Sequence, residues 1–520
     1  MRLFTMKSCP ARVLFAQAGA ALAVAALIGG CGNNYRPVVT PIGTSGPPAQ
    51  ATSYAIVVST TGTSTPGVVT IIDYSGDAIM NETPIGPGPK VFTIDAVGAD
   101  GYTINSNGTL SNFALQSSLQ AKNVSESTLP PAAEPVNLMS PSNVLFATDL
   151  NGDVADLFNG SPQAFKLAIP VATAGSPATM PVMVAGVGTN GGQRDYVLSQ
   201  DVPDTAAGEI TCSNPANFAS VPTGVATPIE LSSTTTSPAI PVGKCPVYAV
   251  QTPDLQRLYV LNRGDDTISV INTKNNTPDA CTPFQNQNGT WITCHPTIQL
   301  PAGSGPVYAE YSQAMQQLVV ANYDGGTISV VNVPLDEYGN DSNTYTTGNC
   351  TTYAACGAVT GGFGSVTTIK VGNTATPNPA SVTVLADGSK AYTANQNDDS
   401  GTGNGTVTVV NLNTFTVEKT LTVVGHPRTV VNVQNAQYSK IYVASPDSPS
   451  ITIIQSTPTI TDLIDTTVLL EGTPIDIRTT NQNGSSGNNN YTSRVPGYGQ
   501  PCNLPGSASL VSLSACQAIP

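Results

Sequence analysis

The sequence predicts an all-β protein assembled from one small antiparallel sheet repeated along the chain. Three observations carry that prediction. Val247 to Thr273 aligns without a gap on Val307 to Val333 at an offset of 60, with 12 of 27 positions identical, and self-similarity of this kind marks a repeat architecture. The repeated phrases are rich in Val, Ile, Thr and Tyr and are separated by Asn, Asp, Gly and Pro, a composition that favours strands and turns over helices. Gly (48) and Pro (42) are abundant among 520 residues, as expected of a turn-dense folded chain.

Each copy reads as four strands. A short apolar strand leads to a turn such as Thr252-Pro253-Asp254 or Asp387-Gly388, then to a second strand such as Leu258 to Leu261, a polar turn, and a third strand such as Thr267 to Ile271. The phrase returns in Ser381 to Asn395 with Thr406 to Asn411, and in Thr429 to Ser445 with Ser450 to Ile454. Asn262, Asn322 and Asn395 close the second strand, where an Asn side chain can hydrogen-bond the backbone, so their role reads as structural. A fourth strand ends in Val or Ile, Gly and shortly Pro, as in Val242-Gly243 to Pro246, Val424-Gly425 to Pro427 and Ile85-Gly86 to Pro89. Glycine is expected to bend this exit, and proline to stop the ladder.

The copies Tyr259-Val260-Leu261-Asn262, Val319-Val320-Ala321-Asn322, Tyr392-Thr393-Ala394-Asn395 and Tyr442-Val443-Ala444-Ser445 resemble the YVTN β-propeller repeat family of bacterial exported and surface proteins. The resemblance is clear over residues 240 to 480. It implies a β-propeller of four-stranded blades, in which sheets stack radially and cover both faces of the inner strands. Junctions before Pro89, Pro135, Pro177, Pro246, Pro306, Pro379, Pro427 and Pro474 count eight blades, whereas seven is usual in the family. The first recognisable strand, Tyr54 to Val58, lacks an inner partner. Pro474 to Thr479 is expected to supply it and close the ring, making residues 54–480 the propeller.

Residues 1–30 read as a secretory signal, with Arg2, Lys7 and Arg12 ahead of an apolar run from Val13 to Ile28 that is shorter than the roughly 20 residues of a spanning helix. Leu27-Ile28-Gly29-Gly30-Cys31 resembles the bacterial lipobox, which implies Cys31 as the acylated (diacylglycerol and palmitate) first residue of the mature chain. Residues 31–53 then form a Pro-, Gly-, Ser- and Thr-rich tether that would span roughly 25 Å on average as a coil. Gly32 and Asn33 follow the cysteine with no Asp at the second mature position, which by resemblance favours the outer membrane. Residues 481–520 read as a polar extension.

Ten cysteines are present. Setting aside Cys9 and Cys31, eight remain for an oxidising compartment, and neighbour pairing would join Cys212 with Cys245, Cys281 with Cys294, Cys350 with Cys356, and Cys502 with Cys516. No CxxC occurs, and the position three before Cys294-His295 is Trp291, which argues against metal clusters and covalent haem. The net charge of −14, or −17 for residues 31–520, excludes a partner held by phosphate neutralisation. Two histidines and one tryptophan leave acid–base and transition-metal chemistry little to draw on.

Few candidate sites emerge. Gly186-Val187-Gly188-Thr189-Asn190-Gly191 matches GxGxxG, but the strand-like Gln193 to Ser199 after it reads as a hairpin rather than a dinucleotide turn. Asp149, Asn151 and Asp153, with Asp156 following, have a spacing compatible with calcium, although Asn-Gly between apolar runs is equally a hairpin signal. Asp398-Asp399 reads as a solvated turn. His426 and Arg428 are candidates to face an axial funnel. No GxSxG or HExxH occurs. The expectation is a monomeric, lipid-anchored envelope scaffold that binds a protein or glycan, without cofactor, resident metal or nucleic acid. The alternative is a propeller enzyme, either lactonase-like or quinoprotein-dehydrogenase-like.

Overall fold

A computed structural model describes residues 53–480 except 96–97, 116–123, 141–143, 151, 172–179, 190–191, 203–211, 253–255, 280–283, 286–290, 293–295, 334–362, 400, 435–438 and 457–461. Leader, Cys31, tether and C-terminal extension fall outside it, as do Asn151, Pro177, Cys281, Cys294, Cys350, Cys356, Cys502 and Cys516.

The fold is an eight-bladed β-propeller of antiparallel sheets. Blades 2 to 8 occupy 89–128, 135–170, 181–244, 246–299, 306–370, 379–422 and 429–469, and blade 1 combines 54–87 with 473–479. In blades 4 and 5 the outermost position is shared by two short strands, both paired with the third strand. Successive innermost strands contact one another around the whole ring, from Thr473–Thr479 through Pro89–Ile94 and on to Thr429–Gln434. Closure follows the expected route: Thr473–Thr479 pairs with Tyr54–Thr60, setting Ala55 opposite Thr479 and Val57 opposite Ile477. Tyr54 N–H donates to Thr480 Oγ1 and Thr480 N–H to the Tyr54 carbonyl, both at 2.9 Å.

Burial explains the scarcity of charge. Pro246–Gln251, Arg257–Asn262, Gln317–Asn322 and Ser439–Ala444 are buried at every position, so both faces of these strands can be apolar, each fully buried Val, Leu or Ile contributing about 1.5–3 kcal/mol. Outermost strands are mostly exposed.

The junctions differ from the simple bend-and-stop expectation. Pro89, Pro135, Pro246, Pro306 and Pro379 open the innermost strands, and blade 4 opens on Pro181. The residue before the proline is often left-handed, as in Gly88 (φ 54°), Met180 (58°), Cys245 (50°), Gly305 (55°) and Asn378 (50°), which turns the chain inward. Gly86 and Gly243 serve close approach rather than bending. A Cβ on Gly243 would lie 2.7 Å from Asn262 Cγ of the next blade. Its bare backbone lets Gly243 N–H donate to Ser269 Oγ at 3.1 Å, while Asn262 Nδ2 donates to Ser269 Oγ at 2.9 Å and Thr267 Oγ1 at 3.1 Å. Asn105, Asn322 and Asn395 make the same two bonds in blades 2, 6 and 7. The asparagine therefore latches the second strand to the third, and the glycine latches that blade to the one before.

Candidate functional site

The ring has two ends. One carries the turns between second and third strands and the crossings to the next blade; the other carries the remaining turns. His426, on the crossing into blade 8, belongs to the first. Its backbone N–H donates to Asp447 Oδ1 at 2.8 Å, its Nδ1 lies 2.5 Å from Asp447 Oδ2, and its Nε2 lies 3.9 Å from Asp399 Oδ2 of blade 7. Asp399 is pinned by the N–H groups of Thr402 (2.6 Å), Gly403 (2.9 Å) and Gly401 (2.8 Å), and these hold its carboxyl below the usual range. Arg428 follows at the start of the innermost strand, half-buried, and its charge acts on the Tyr323 hydroxyl of blade 6. The structure thus brings His426 together with two carboxylates from adjacent blades.

A second group on this end was not anticipated. Arg263, fully buried, forks onto Asp324 of the next blade at 2.9 and 2.7 Å, with its guanidinium 5.7 Å from the Phe218 ring centroid and 5.5 Å from that of Tyr323. Tyr323 OH donates to Gln396 Oε1 at 3.3 Å, Asn378 Nδ2 to the Tyr323 carbonyl at 2.9 Å, and Asn397 Nδ2 to Asn378 Oδ1 at 3.1 Å. One polar network therefore links blades 5, 6 and 7. The signal was present in the aligned turns Arg263-Gly264-Asp265-Asp266, Tyr323-Asp324-Gly325-Gly326 and Gln396-Asn397-Asp398-Asp399, each with an acid after the latch asparagine.

Most of these acids hold the crossings. Asp265 accepts from Lys244 N–H at 3.1 Å, and Asp266 accepts from Gly303 and Gly305 N–H at 2.7 Å. Asp398 is more than the solvated turn expected of it. It is buried and accepts from Asn373 and Thr374 N–H and the Thr406 hydroxyl. Burial pushes its pKa up, but these bonds outweigh burial and hold it below the ordinary value.

The innermost strands bring charge near the axis, most of it buried, with Lys90 half-buried on the innermost strand of blade 2. Arg478 pairs with Asp476 at 2.8 Å, Asp476 accepts from the Thr429 hydroxyl at 2.9 Å, and Asn432 Nδ2 donates to Thr383 Oγ1 at 2.6 Å. Glu310 is 5% exposed, and the Tyr248 and Tyr308 rings lie 4.5 Å apart.

In blade 3, Asp149 and Asp156 occupy the register positions that hold Asn262 and Ser269 in blade 5. Asp149 Oδ1 accepts from Glu134 N–H at 2.8 Å, and Asp153 Oδ1 from Met180 N–H at 3.0 Å. Asp156 is 1% exposed, and its pKa is pushed up to about 7 by burial and by Asp149. Among the described residues, no three His, Cys, Asp or Glu side chains form a group able to hold a metal ion. The GxGxxG stretch is a hairpin, Pro181–Thr189 pairing with Gly192–Ser199. Cys212 and Cys245, 33 residues apart in sequence, form a disulfide with a Cα separation of 5.5 Å; closing a loop of that many residues contributes up to about 4 kcal/mol.

The opposite end carries a motif that sequence reasoning missed, a basic residue two before a tyrosine in the second strand. Arg194-x-Tyr196, Arg257-x-Tyr259, Lys390-x-Tyr392 and Lys440-x-Tyr442 all follow it. Three of these clamp the next blade. Arg194 Nη1 donates to the Thr273 carbonyl at 2.6 Å and Tyr196 OH to Asn276 at 2.8 Å. Lys390 Nζ and Tyr392 OH both reach Asp462 at 2.6 Å, and Lys440 Nζ reaches Asp77 at 2.7 Å.

No family model matches the chain, and no curated protein matches it. Solved propellers do. A dihydro-heme d1 dehydrogenase, NirN, superimposes with a TM-score of 0.51 at 12% identity, over 83% of this chain and 76% of that one. AztD of Citrobacter koseri gives 0.49 at 13%, over 82% and 97%. The periplasmic gluconolactonase of Pseudomonas aeruginosa gives 0.47 at 13%, over 82% and 99%. At such identities the likeness is one of fold.

Proposed function

We propose that the chain is a bacterial cell-envelope lipoprotein, acylated at Cys31, whose propeller binds a protein or glycan partner through the loops of its crossing end. The supporting observation is the state of the axis. On the innermost strands Glu310, Asp476 and Arg478 are buried, Arg478 is engaged with Asp476, and Lys90 is half-buried, so most of the groups offered outward are those of turns and crossings. Labelled palmitate should enter the wild-type protein and not Cys31→Ala, and the wild type should sediment with outer membrane. Label in neither protein refutes the anchor.

One observation favours a lactonase-like reading. His426 is oriented through Nδ1 by Asp447, the arrangement a general base requires. The scaffold reading expects 6-phosphogluconolactone to hydrolyse at the buffer rate with wild type and His426→Gln alike. A wild-type rate about tenfold above buffer that His426→Gln abolishes would replace it with the enzyme.

A further inference from the structure

We infer that the end of the propeller opposite His426 rests on the lipid bilayer, through an apolar rim on blades 7, 8, 1 and 3, so that the crossing end faces away from the membrane. This rests on the lipid anchor proposed above.

The rim is defined by exposure and register. Nine large hydrophobic side chains are exposed among the described residues, and six of them, Ile79, Met80, Phe165, Val417, Leu463 and Ile464, lie toward the start of an outermost strand, with Leu167 at the middle of its strand. Outermost strands start at the end opposite the crossings, so these residues share one end of the ring. The outermost strands of blades 2, 4, 5 and 6 contribute none among the described residues, so the rim runs over neighbouring blades 7, 8 and 1, with a separate patch on blade 3. Lys166, exposed between Phe165 and Leu167, supplies the basic group beside an aromatic that suits a bilayer interface.

The position of the chain's entry selects lipid as the occupant. Tyr54 begins the second strand of blade 1 at this same end. Ala55 pairs with Ile72, and Ile72 with Ile79, so Ile79 sits two strands from the entry point, about 10 Å away. Twenty-two residues separate Cys31 from Tyr54, with an average coil span of roughly 25 Å, so an acylated Cys31 holds this end near the bilayer. On the neighbouring side, Lys440 of blade 8 grips Asp77 and the Tyr74 carbonyl of blade 1, which fixes Leu463 and Ile464 relative to Ile79 and Met80. A second copy seated on the rim would explain the exposed side chains, but not their position beside the entry of the tether.

The chain has a single tryptophan, Trp291, so a second one reports its own surroundings above a constant background. Ile464→Trp, Met80→Trp and Thr367→Trp, the last at the exposed start of the outermost strand of blade 6, would be made in the full lipidated protein. Each would be reconstituted in phosphatidylcholine vesicles containing lipid brominated near the headgroup end of its chains. Side chains seated roughly 5–10 Å into the boundary should be quenched about threefold more at 464 and 80 than at 367. Equal quenching at all three positions in palmitate-bearing protein overturns the orientation and leaves the anchor standing. Protection from bromolipid at 464 and 80 together with a dimer by sedimentation overturns it in favour of a second copy. Protein that carries no palmitate overturns both readings. Unchanged melting temperatures would show that each variant is folded.

Discussion

Blades 5 and 3 meet the same structural demand with different chemistry at both ends of the second strand. Where that strand gives way to the third, blade 5 uses an amide and a hydroxyl, Asn262 and Ser269, bonded at 2.9 Å and joined by Gly243 N–H. Blade 3 has two carboxyl groups at the same positions, Asp149 and Asp156, and Asp156 Oδ2 has no hydrogen-bond partner among the described residues. Where the second strand begins, blade 5 has buried Arg257, 3.2 Å from Asp279 and 5.6 Å from the Phe363 ring centroid, whereas blade 3 has Val144. Backbone register sets where each group stands. Side-chain chemistry sets whether the joint responds to pH, to salt or to neither.

The largest effect is expected from breaking one partner of the ionic joint. Arg257→Met leaves Asp279, itself 2% exposed, as an uncompensated buried charge, and should cost about 3–5 kcal/mol in urea unfolding. A loss below about 1 kcal/mol would mean that Asp279 is hydrated in the fold.

Blade 3 should supply the next largest effect, through pH. The folded-state pKa of Asp156 stands near 7, against an unfolded value of about 4. The folded state therefore holds a proton that the unfolded state has released. The associated stability is complete below about pH 4, declines as pH rises, and is gone above about pH 7, a change of up to about 4 kcal/mol. Asp77, Asp95 and Asp100, whose pKa values burial also raises, add to the slope in the same direction. Urea midpoints should fall between pH 4.5 and 8 for wild type, and Asp149→Asn/Asp156→Ser, which copies the blade 5 latch, should flatten that fall. An unchanged slope would assign it to the other acids.

The reciprocal exchange sharpens the contrast. Asn262→Leu removes the amide donor from Thr267 and Ser269 and should cost about 2–3 kcal/mol with no new pH dependence. Asn262→Asp should give a comparable loss at pH 8 that shrinks toward pH 4.5.

These joints show where sequence was sufficient. Strand order, blade count and ring closure were legible because they depend on local alternation, turn residues and an ungapped repeat, all properties of neighbouring positions. The latch asparagines could be seen to be structural from their place at the strand end. Their partners are not the expected backbone groups but the hydroxyls of the third strand, Thr267 and Ser269 for Asn262, and Gly243 joins that latch only because adjacent blades stack. The Arg263–Asp324 fork escaped for the same reason, since 61 residues separate its members. His426 stood out as a rare residue, yet Asp447 and Asp399, which bracket it, come from different blades. Asp149 and Asp156 were noticed as oxygen ligands, when the aligned Asn262 and Ser269 already marked those slots as a latch. A basic residue two before tyrosine recurs four times in the text, but its meaning lies in the blade it reaches.

The smallest expected effect tests why blade 5 keeps an ion pair where blade 3 has a valine. Burying two charges requires removing both from water, and their attraction at 3.2 Å offsets that desolvation only in part, so replacing both with neutral side chains of similar size is often close to neutral. Arg257→Met/Asp279→Asn should therefore stay within about 1 kcal/mol of wild type, although Arg257→Met alone is expected to be severe. The difference between single and double variants in urea unfolding gives the coupling of the pair. If the double variant matches wild type, the charges contribute little net stability, and blade 3 already uses the apolar solution. If it loses as much as the single variant, the packing of Arg257 against Phe363 holds the joint, and Asp279 serves to keep that guanidinium in place.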